Sequence, residues 1–548
     1  MRKLVSLLFV LLVSVSTLLA QTKKVTGKVT DENGGPIANA SVLVKGTTVG
    51  TTTGADGSFS LDAPTSARTL VISSLNFTAK EVSIGNGTVS VSLAASINEL
   101  VEVVVSVPYG TVKKSTFTGS AGTITASTIQ KQQVTSVTRM LEGLVPGLAT
   151  TNGGGTPGGG TDIRIRGFGS INASSSPLIV LNGIPYDGSI SSISADEIET
   201  VDVLKDAAAT AIWGAKAANG VLVITTKRGA IGKPNINYAF KGSVSLVPKS
   251  IPLLNGDQYS TLIPEAFMNR IGSTLNSTAF REFNYDPNDP YWFNNYSNNT
   301  NWIDAISRTG YLQDHTVSLS GGGEKAKYFA SVGFFDQKGI TIGTDLQRIN
   351  TRINLDYTVS EKIKFFTSFA YTHYDQSRNY LGSNSASGEA TIRGQAFIKM
   401  PNMSVFEYDA QGNLSQNYFS PAGNVQGQYS RIYNPVAMAA EANYGVLGDR
   451  IIPRFQVDYD IVKRVLKATF DIQFDINNTK NKSFLPQIAT GRPNTETVVN
   501  RAYDGDIDAF SVGTKASLIY TPTFKNDKHD VQAYVNILTN DYKAVFQE

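Results

Sequence analysis

The second half of the sequence alternates between apolar and polar residues, in stretches of about 10–13 residues. One stretch places Ile349, Ile353, Leu355, Tyr357 and Val359 between Arg348, Asn350, Arg352, Asn354 and Asp356. A period of two gives a strand one apolar and one polar face. Strands of soluble proteins average about 5–6 residues, whereas a tilted membrane-spanning strand needs about 9–11. The pattern therefore predicts an antiparallel sheet with lipid on one face and water on the other. A large soluble β-sheet protein is the alternative.

Nine such strands can be counted after residue 228, and the connections between them alternate in length. The predicted strands lie near residues 236–247, 313–320, 326–335, 347–359, 363–375, 452–461, 465–476, 508–520 and 530–538. Long connections at 248–312, 376–451 and 477–507 share one end of the sheet, and short turns share the other. Outer-membrane barrels have short periplasmic turns, so we expect the long loops to face outward. Because such barrels have an even number of strands, we expect these nine to form an incomplete barrel.

The first 20 residues have the pattern of a secretory signal peptide. A pair of basic residues precedes an apolar run from Leu4 to Leu19, and Ala20 ends the segment. The run is shorter than the roughly 20 residues of a membrane-spanning helix, although a membrane anchor is the alternative. We expect the protein to be exported, with a mature chain that begins at Gln21.

The residue content argues against several kinds of chemistry. The chain has no cysteine and only three histidines, which lie far apart, so disulfides, thiol catalysis and zinc-hydrolase sites are not expected. The net charge of +3 provides no general attraction for nucleic acid. Gly153–Gly158 matches the spacing GxGxxG, but Pro157 lies inside it and a strand follows, which argues against a dinucleotide site. We predict a protein that is not an enzyme and carries no cofactor or metal.

Residues 21–95 contain short alternating strands separated by turn residues, which predicts a small β-sandwich. Three of its pieces, Gly27–Asp31, Gly35–Ile37 and Asp56–Phe59, resemble the carboxypeptidase-regulatory-like (transthyretin-like) domain. That domain is an accessory module, so the resemblance does not predict a peptidase.

A linker at residues 96–114 contains a β-prone strip of Val101, Glu102 and Val103–Val105. A valine-rich strip in a linker can add as a strand to the sheet edge of another protein through its backbone groups. The alternative is that the strip forms the last strand of the sandwich.

Residues 115–228 combine helix and strand patterns. The stretch 203–229, VLKDAAATAIWGAKAANGVLVITTKRG, has small, helix-compatible residues before Gly220 and a β-branched run after it. We expect a helix that packs against a strand, with Gly220 turning the chain between them. Arg164 and Arg166 alternate along a predicted strand, where ion pairs within the domain are their expected role.

Two stretches, DIRIRGFGSINASSSPLIVLNGIPYDG and the 203–229 segment, strongly resemble the plug of SusC/RagA-type TonB-dependent outer-membrane transporters. TNWIDAISRTGYLQDHTVSLSGG resembles the early barrel of the same family. The resemblance implies a mainly β fold with a small sandwich, an α/β plug at 115–228 and an incomplete transmembrane antiparallel barrel at 229–548. About nine of an expected 22 or so strands are accounted for. Residues 115–228 are called the plug segment below.

The resemblance also implies residue roles and partners. It places the TonB box, which receives energy from the inner membrane, on Glu102, Val103, Val104 and Val105. The residues that match the plug motifs are Arg164, Arg166, Gly167, Asn182, Gly183, Lys205, Asp206 and Gly220. The implied location is the bacterial outer membrane. The implied partners are the TonB–ExbB–ExbD complex, a SusD-like surface lipoprotein, a glycan or peptide ligand and outer-membrane lipid, but no nucleic acid.

Three functions fit parts of this sequence. An energy-coupled importer of oligosaccharides or peptides explains both the plug motifs and the valine-rich strip. A surface adhesin or structural β-protein explains the sandwich and the aromatic residues alone, and a secreted hydrolase lacks metal ligands. Among the loop aromatics, Tyr291, Trp292 and Trp302 are candidate substrate contacts because aromatic rings stack on sugars. Aromatic residues also form the girdle at the membrane interface, which is the alternative.

Overall fold

The structure is a computed structural model of the 548-residue chain. It describes residues 22–31, 34–74, 77–85, 87–94, 104–107, 110–113, 121–131, 137–152, 156–159, 161–170, 172, 174–188, 190–206, 210–249, 251–272, 274–275, 280–380, 391–409, 411–420, 432–491, 500–522, 524 and 531–547. The signal peptide predicted at residues 1–20 lies outside these ranges. The chain divides into two compact units, Met1–Val103 and Val104–Glu548.

The described part of the first unit is a small β-sandwich, as predicted. Its strands are β1 Thr22–Asp31, β2 Ser41–Val44, β3 Gly50–Thr52, β4 Ser58–Pro64, β5 Thr69–Ser74, β6 Phe77–Ser83 and β7 Val89–Leu93. They form two sheets with the orders β4-β1-β7 and β3-β2-β5-β6. Buried and exposed residues alternate along β1, β4 and β7, and the buried side chains meet in one apolar core.

The second unit begins with a hairpin of β8 (Val104–Val107) and β9 (Gly110–Lys113), and the plug segment follows it. The elements of the plug segment are β10 Ala121–Thr125, α1 Ala126–Lys131, α2 Val137–Met140, β11 Leu148–Asn152, β12 Thr161–Ile165, β13 Leu178–Leu181, β14 Ile184–Pro185, the 3-10 helices η1 Ile190–Ser192 and η2 Ala195–Glu197, β15 Ile198–Leu204, the 3-10 helix η3 Ala211–Ala217 and β16 Val221–Thr226. Five of these strands pair in the order β10-β15-β16-β13-β14, and β11 pairs with β12. The plug segment is therefore mixed α/β, as predicted.

The helix expected before Gly220 differs from the prediction in its type and extent. The described helical part is the 3-10 helix η3, and Gly214 interrupts it with φ 68° and ψ −158°. Of the alanines in η3, Ala217 is buried while Ala215 is exposed, and Ala207–Ala209 lie outside the described residues. A left-handed residue cannot continue a right-handed helix, so Gly214 limits the helix to short turns.

The predicted nine-stranded sheet is confirmed. Its strands are β17 Gly232–Ser245, β18 Gly310–Gly322, β19 Ala326–Lys338, β20 Asp345–Thr358, β21 Ile363–Arg378, β24 Asn443–Val462, β25 Leu466–Leu485, β26 Arg501–Tyr520 and β27 Ala533–Gln547. They pair antiparallel in this order, and β17 and β27 form the two edges. We call this structure the large sheet. It curves around the plug segment without closing into a barrel, because β17 and β27 do not pair in the described part of the chain.

The two faces of the large sheet differ as the alternation predicts. On β20 the polar residues Arg348, Asn350, Arg352 and Asn354 are buried against the plug segment, whereas Ile349 and Ile353 are exposed on the opposite face. Ala370 of β21 and Ile452 of β24 join the apolar core of the plug segment. The inner face of the large sheet therefore holds the plug segment and the outer face is apolar.

The long connections of the large sheet contain further elements, all at one end of its strands. They are α3 Gly256–Ile271, η4 Arg281–Phe283, α4 Trp292–Tyr296, α5 Trp302–Ala305, α6 Ile392–Ile398, β22 Phe406–Tyr408, β23 Leu414–Tyr418, α7 Pro435–Glu441 and α8 Gln487–Thr490. Asn255 begins α3 with a capping box to Gln258, and left-handed Gly272 ends it. Among the described residues, no helix has both the length and the hydropathy needed to cross a bilayer.

Candidate functional site

The valine-rich strip lies partly within the described residues. Glu102 and Val103 lie outside them, whereas Val104 and Val105 begin β8. Strand β8 pairs with β9 and belongs to neither sheet of the sandwich. The alternative that the strip ends the sandwich therefore disagrees with the pairing of its described part.

Asn182 and Gly183 form the two-residue turn between β13 and β14. Both have positive φ angles, 52° and 93°, as a type I′ hairpin turn requires. The Asn182 side chain reaches β16, where its Oδ1 accepts from the Thr226 N–H at 2.9 Å and its Nδ2 donates to Thr226 Oγ1 at 3.0 Å. This asparagine therefore shapes the turn and also ties the hairpin to the last strand of the plug segment.

We expect Asn182→Ala to loosen this region more than Asn182→Gly does. Alanine loses the side-chain hydrogen bonds to Thr226 and is strained at positive φ, whereas glycine loses only the hydrogen bonds. A strained non-glycine residue costs about 1–3 kcal/mol, and each lost hydrogen bond costs about 1 kcal/mol. Hydrogen exchange of the β13 and β16 amides measures the effect, and equal protection in the two variants would contradict it.

A second cluster fastens the end of β12 to the end of β15. Arg166, at φ 60°, donates from Nη2 to Asp206 Oδ1 at 2.8 Å, and Lys205 Nζ donates to the Pro146 carbonyl at 3.0 Å. Gly167 continues the turn with φ 95°. Arg164 pairs with Asp162 at 3.3 Å and lies over the ring of Phe168 at 4.3 Å from its centroid. Each arginine of the motif is thus in an ion pair within the plug segment.

Gly220 has φ 92° and lies in a confined place at the start of β16. A Cβ atom at this position would come within 2.7 Å of Ile165 Cδ1 and 3.1 Å of the Leu204 carbonyl oxygen. Both the backbone angle and the close approach require glycine. The motif residues thus converge on the turns of the plug segment, where their contacts are made within the chain.

The sequence did not reveal the polar seam between the plug segment and the large sheet. Its centre is Glu197 at the end of η2, which pairs with Arg352 of β20 at 2.7 Å and accepts from Ser331 Oγ at 3.3 Å. The two side chains are only 4% and 5% exposed. The neighbouring Asp196 pairs with Lys241 of β17 at 2.7 Å. The alternation along β20 placed Arg352 on the polar face, but no local pattern identified its partner.

Arg450 forms a second contact in this seam. Its guanidinium binds Asp475 through two hydrogen bonds and lies over the Tyr186 ring at 4.4 Å from the centroid. Gly188 lies so close to the same guanidinium that a Cβ atom would overlap it. Backbone carbonyls of the plug segment add to the seam, since Asn350 and Asn354 donate to those of Ser192 and Lys227 at 3.0 and 2.6 Å. Polar groups thus hold the plug segment along several strands of the large sheet.

The aromatic loop residues belong to one hydrophobic cluster that joins the three long connections. We call it the loop core, and its buried members are Trp292, Tyr296, Trp302, Ile303, Ile306, Ile392, Ala396, Met400, Met403, Met438, Ala439, Ala442, Leu485 and Ala489. Trp302 is 2% exposed and its indole N–H donates to the Met400 carbonyl at 2.8 Å. Trp292 is 9% exposed and donates to the Arg281 carbonyl at 2.9 Å. Tyr291 is half-buried beside them. Substrate contact by these three residues stays a prediction, and the girdle alternative does not fit the burial of the two tryptophans.

Lys399 is buried next to the loop core. Its side chain donates from Nζ to the Ile432 carbonyl at 2.8 Å, and the residue is 4% exposed. Burial lowers the pKa of the Lys399 amine to about 7, and the charge of Glu282 partly opposes this shift. The amine therefore loses its proton much more readily in the folded loops than in water.

We expect the stability of the loop core to rise with pH above about 7. Between pH 7 and the ordinary lysine pKa of 10.5, the unfolded loops bind one more proton at Lys399 than the folded loops do. The free energy of unfolding then increases by up to about 1.4 kcal/mol per pH unit in this window and is level below it. Lys399→Met removes the slope. Two of the three tryptophans lie in the loop core, so Trp213→Phe leaves only these two as fluorescent reporters. Their fluorescence during urea unfolding, followed between pH 6 and 9, measures the stability of the loop core. Equal slopes with and without Lys399 would contradict the assignment.

The chain matches two known families. Residues 113–221 match the family described as TonB-dependent Receptor Plug Domain, and residues 25–105 match the CarboxypepD_reg-like domain. TonB-dependent receptor P3 of Formosa agariphila is 31% identical over 491 residues, which cover 88% of this chain and 45% of that protein. TonB-dependent receptor SusC of Bacteroides thetaiotaomicron is 33% identical over 430 residues, covering 76% and 40%. The chain thus spans less than half the length of these curated relatives.

Solved structures share the fold of the chain. The RagAB peptide importer in its closed-closed state matches with a TM-score of 0.62 at 22% identity, over 79% of this chain and 48% of that one. Its open-open state matches with a TM-score of 0.63 at 22% identity, over 81% and 50%. At this identity the likeness concerns the fold, which is that of a plug within a curved antiparallel sheet.

Proposed function

Because the chain belongs to the SusC/RagA family of TonB-dependent outer-membrane receptors, we propose that it acts as an energy-coupled importer of oligosaccharides or peptides. The observation that carries the proposal is the polar seam. A plug segment held by ion pairs and hydrogen bonds as well as by a few apolar contacts, such as those of Ala370 and Ile452, can move while exposing little apolar surface to water. The apolar outer face of the large sheet fits the outer membrane, where the family resides.

We further propose that energy reaches the plug segment through the strip at residues 102–105, by strand addition to TonB of the TonB–ExbB–ExbD complex. The strip lies directly before the plug segment in the chain, so a pull on it acts first on that segment. The motif residues of the plug segment form its turns and its ion pairs, which suits a plug that moves rather than a catalytic site. In this proposal the sandwich of residues 21–95 is an accessory domain. A linker follows at 96–114, the plug at 115–228 and the partial barrel at 229–548.

The loop core supports the proposed partnership with a SusD-like lipoprotein. Its side chains pack the three long connections against one another, at the end of the large sheet opposite the short turns. A rigid body on the external side offers a stable surface on which a lipoprotein lid can open and close. RagAB, which shares the fold, is a peptide importer, and SusC belongs to the same family as this chain. The proposed substrates are therefore peptides or oligosaccharides.

A growth screen tests the proposed function. A deletion strain is grown on single glycans and single peptides as the sole nutrient source, with and without a plasmid copy of the gene. An importer restores growth on at least one nutrient, and deletion of the gene for the proposed SusD-like lipoprotein reduces that growth. An adhesin or structural protein would leave growth unchanged on every nutrient. Washing the membranes with sodium carbonate provides a control, because an integral protein stays in the pellet.

A further inference from the structure

The connection between β11 and β12 contacts the large sheet at the end where its long connections lie. We call residues 156–159 of this connection the plug tip, and residues 339–344, which join β19 to β20, the bridging turn. Resting on the proposed function, we propose that the bridging turn is a latch. It holds the plug tip until the long connections shift, and only then can the energising partner move the plug segment.

The plug tip is enclosed by the large sheet. Pro157 is buried, and its carbonyl accepts a hydrogen bond from Nε2 of Gln376 on β21, a residue that is 2% exposed. A Cβ atom on Gly339 of the bridging turn would come within 2.8 Å of Pro157 Cδ. Gly158 has φ 66°, and a Cβ atom there would lie 3.0 Å from Leu346 Cδ2. In so close a packing, the plug tip cannot leave unless the bridging turn or Gln376 gives way.

Arg308 fixes the bridging turn in this position. Its Nε donates to the Gly339 carbonyl at 3.0 Å, and its Nη2 donates to the Thr344 carbonyl at 2.9 Å and to Asp345 Oδ1 at 2.7 Å. The two ends of the turn are also joined directly, since the Gly339 N–H donates to the Thr344 carbonyl at 2.8 Å. The planar guanidinium presents its donors in a fixed fork, so a single side chain holds both ends of the turn together.

The same turn is bound to the loop core. The Ile342 N–H donates at 3.0 Å to the carbonyl of Ile306, a fully buried member of the loop core, and the Ile342 side chain packs against that cluster. Gly343 comes so close to α7 that a Cβ atom would lie 2.7 Å from the Ala439 carbonyl oxygen. Arg308 itself lies two residues after Ile306 in the chain. A displacement of the loop core therefore displaces the bridging turn.

These contacts make the position of the plug segment depend on the long connections. The bridging turn joins the loop core to the plug tip through a continuous series of packed groups and hydrogen bonds. A nutrient or lid protein that binds a shifted loop core more tightly weakens the latch by as much as its preference for that state. Without such a ligand the plug segment stays in place against the pull of the energising partner, which keeps the outer membrane closed.

TonB-dependent leakage in the absence of nutrient tests the latch. Gln376→Met removes the hydrogen bond to the plug tip, and Arg308→Met frees the bridging turn. Each variant of the full chain is produced in cells with and without TonB, and the inhibitory concentration of vancomycin, which is too large for the intact outer membrane, is measured. With TonB we expect about a tenfold fall, the effect of roughly one lost hydrogen bond. Without TonB we expect no change, because the polar seam still holds the plug segment.

Matched substitutions separate the latch from general damage. Gln347→Met changes an exposed glutamine of β20 next to Leu346, the register partner of Gln376, and should leave the vancomycin reading unchanged. Met438→Ala opens a cavity in the loop core, where Met438 is 1% exposed, and should cause TonB-dependent leakage. Met268→Ala changes an exposed methionine of α3 and should cause none.

Assembly of each variant is checked by surface labelling. Arg308→Lys, which keeps the charge and loses the fork, replaces Arg308→Met if that variant assembles poorly, and a smaller fall is then expected. Amide exchange of Gly159, whose N–H donates to the Thr156 carbonyl at 3.0 Å, is measured on the purified chain. It should accelerate about tenfold in Gln376→Met and stay unchanged in Gln347→Met.

Three results would overturn the latch. Equal vancomycin sensitivity with and without TonB means that the substitutions simply loosen the plug segment. Unchanged sensitivity of both Gln376→Met and Arg308→Met means that the plug tip does not hold it, and tight closure in Met438→Ala means that the loop core does not control it. Failure of the proposed function is distinguishable, because wild-type cells would then grow equally well on the nutrient without TonB.

Discussion

Val104→Pro is expected to abolish uptake while leaving the protein assembled in the outer membrane. In a strand added to TonB the Val104 backbone is part of the ladder, so proline removes a ladder donor and places a ring where the partner strand must lie. The lost ladder hydrogen bond alone costs about 1 kcal/mol, the clash of the proline ring adds to it, and 1.4 kcal/mol is a factor of ten in affinity. We therefore expect coupling to fall by tenfold or more. The measurement is growth on a nutrient that the wild-type gene supports.

Val104→Thr is the matched control for this variant. Threonine keeps the N–H and the β-branched shape, so strand addition and uptake should be close to wild type. Surface labelling of both variants checks that assembly is equal, and binding of the nutrient to whole cells checks the external side. Normal uptake by Val104→Pro would place the coupling segment elsewhere in the chain.

The strands of the large sheet were predictable because each crosses from lipid to water with a period of two. The prediction nevertheless made several strands too short: β24, β25 and β26 each have 20 residues. The extensions lie towards the long loops, as in residues 477–483 of β25, which read NNTKNKS. These residues are polar on both faces, so the apolar alternation stops while the backbone ladder continues. Hydropathy detects the part of a strand that meets lipid, and hydrogen bonding decides its full length.

The turns of the plug segment were predictable for a different reason. Asparagine and glycine at Asn182, Gly183 and Gly220 allow positive φ angles, and this requirement is local to each turn. The partner of Arg352 was not predictable, because Glu197 lies 155 residues earlier in the chain. The place of Trp302 likewise depends on Met400 from another connection, 98 residues later. Side chains that join distant segments leave no periodic signal in the sequence.

Removal of either partner of the Glu197–Arg352 pair is expected to release the plug segment from the large sheet. Both side chains are almost fully buried and lie 2.7 Å apart. In Arg352→Met the Glu197 carboxylate stays buried without its cation, and in Glu197→Met the guanidinium stays without its anion. Breaking a buried pair in this way costs about 3–5 kcal/mol. Amide exchange along β15, which follows Glu197 directly, should accelerate a hundredfold or more, since each 1.4 kcal/mol is a factor of ten.

The double variant separates the ion pair from simple packing. Glu197→Met/Arg352→Met replaces two buried charges with apolar side chains. Amide exchange in the double variant should therefore be slower than in either single variant, although each alone is disruptive.

Cells with a single variant should admit an antibiotic too large for the intact outer membrane, and cells with the double variant should resist it better. Glu361→Gln is the matched control, because Glu361 pairs with Lys463 at 2.9 Å on an exposed turn and should leave both readings unchanged. If the costs of the two single substitutions simply add, the pair does not act as a unit, and the plug segment must be held by the remaining contacts of the seam, such as Arg450 over Tyr186.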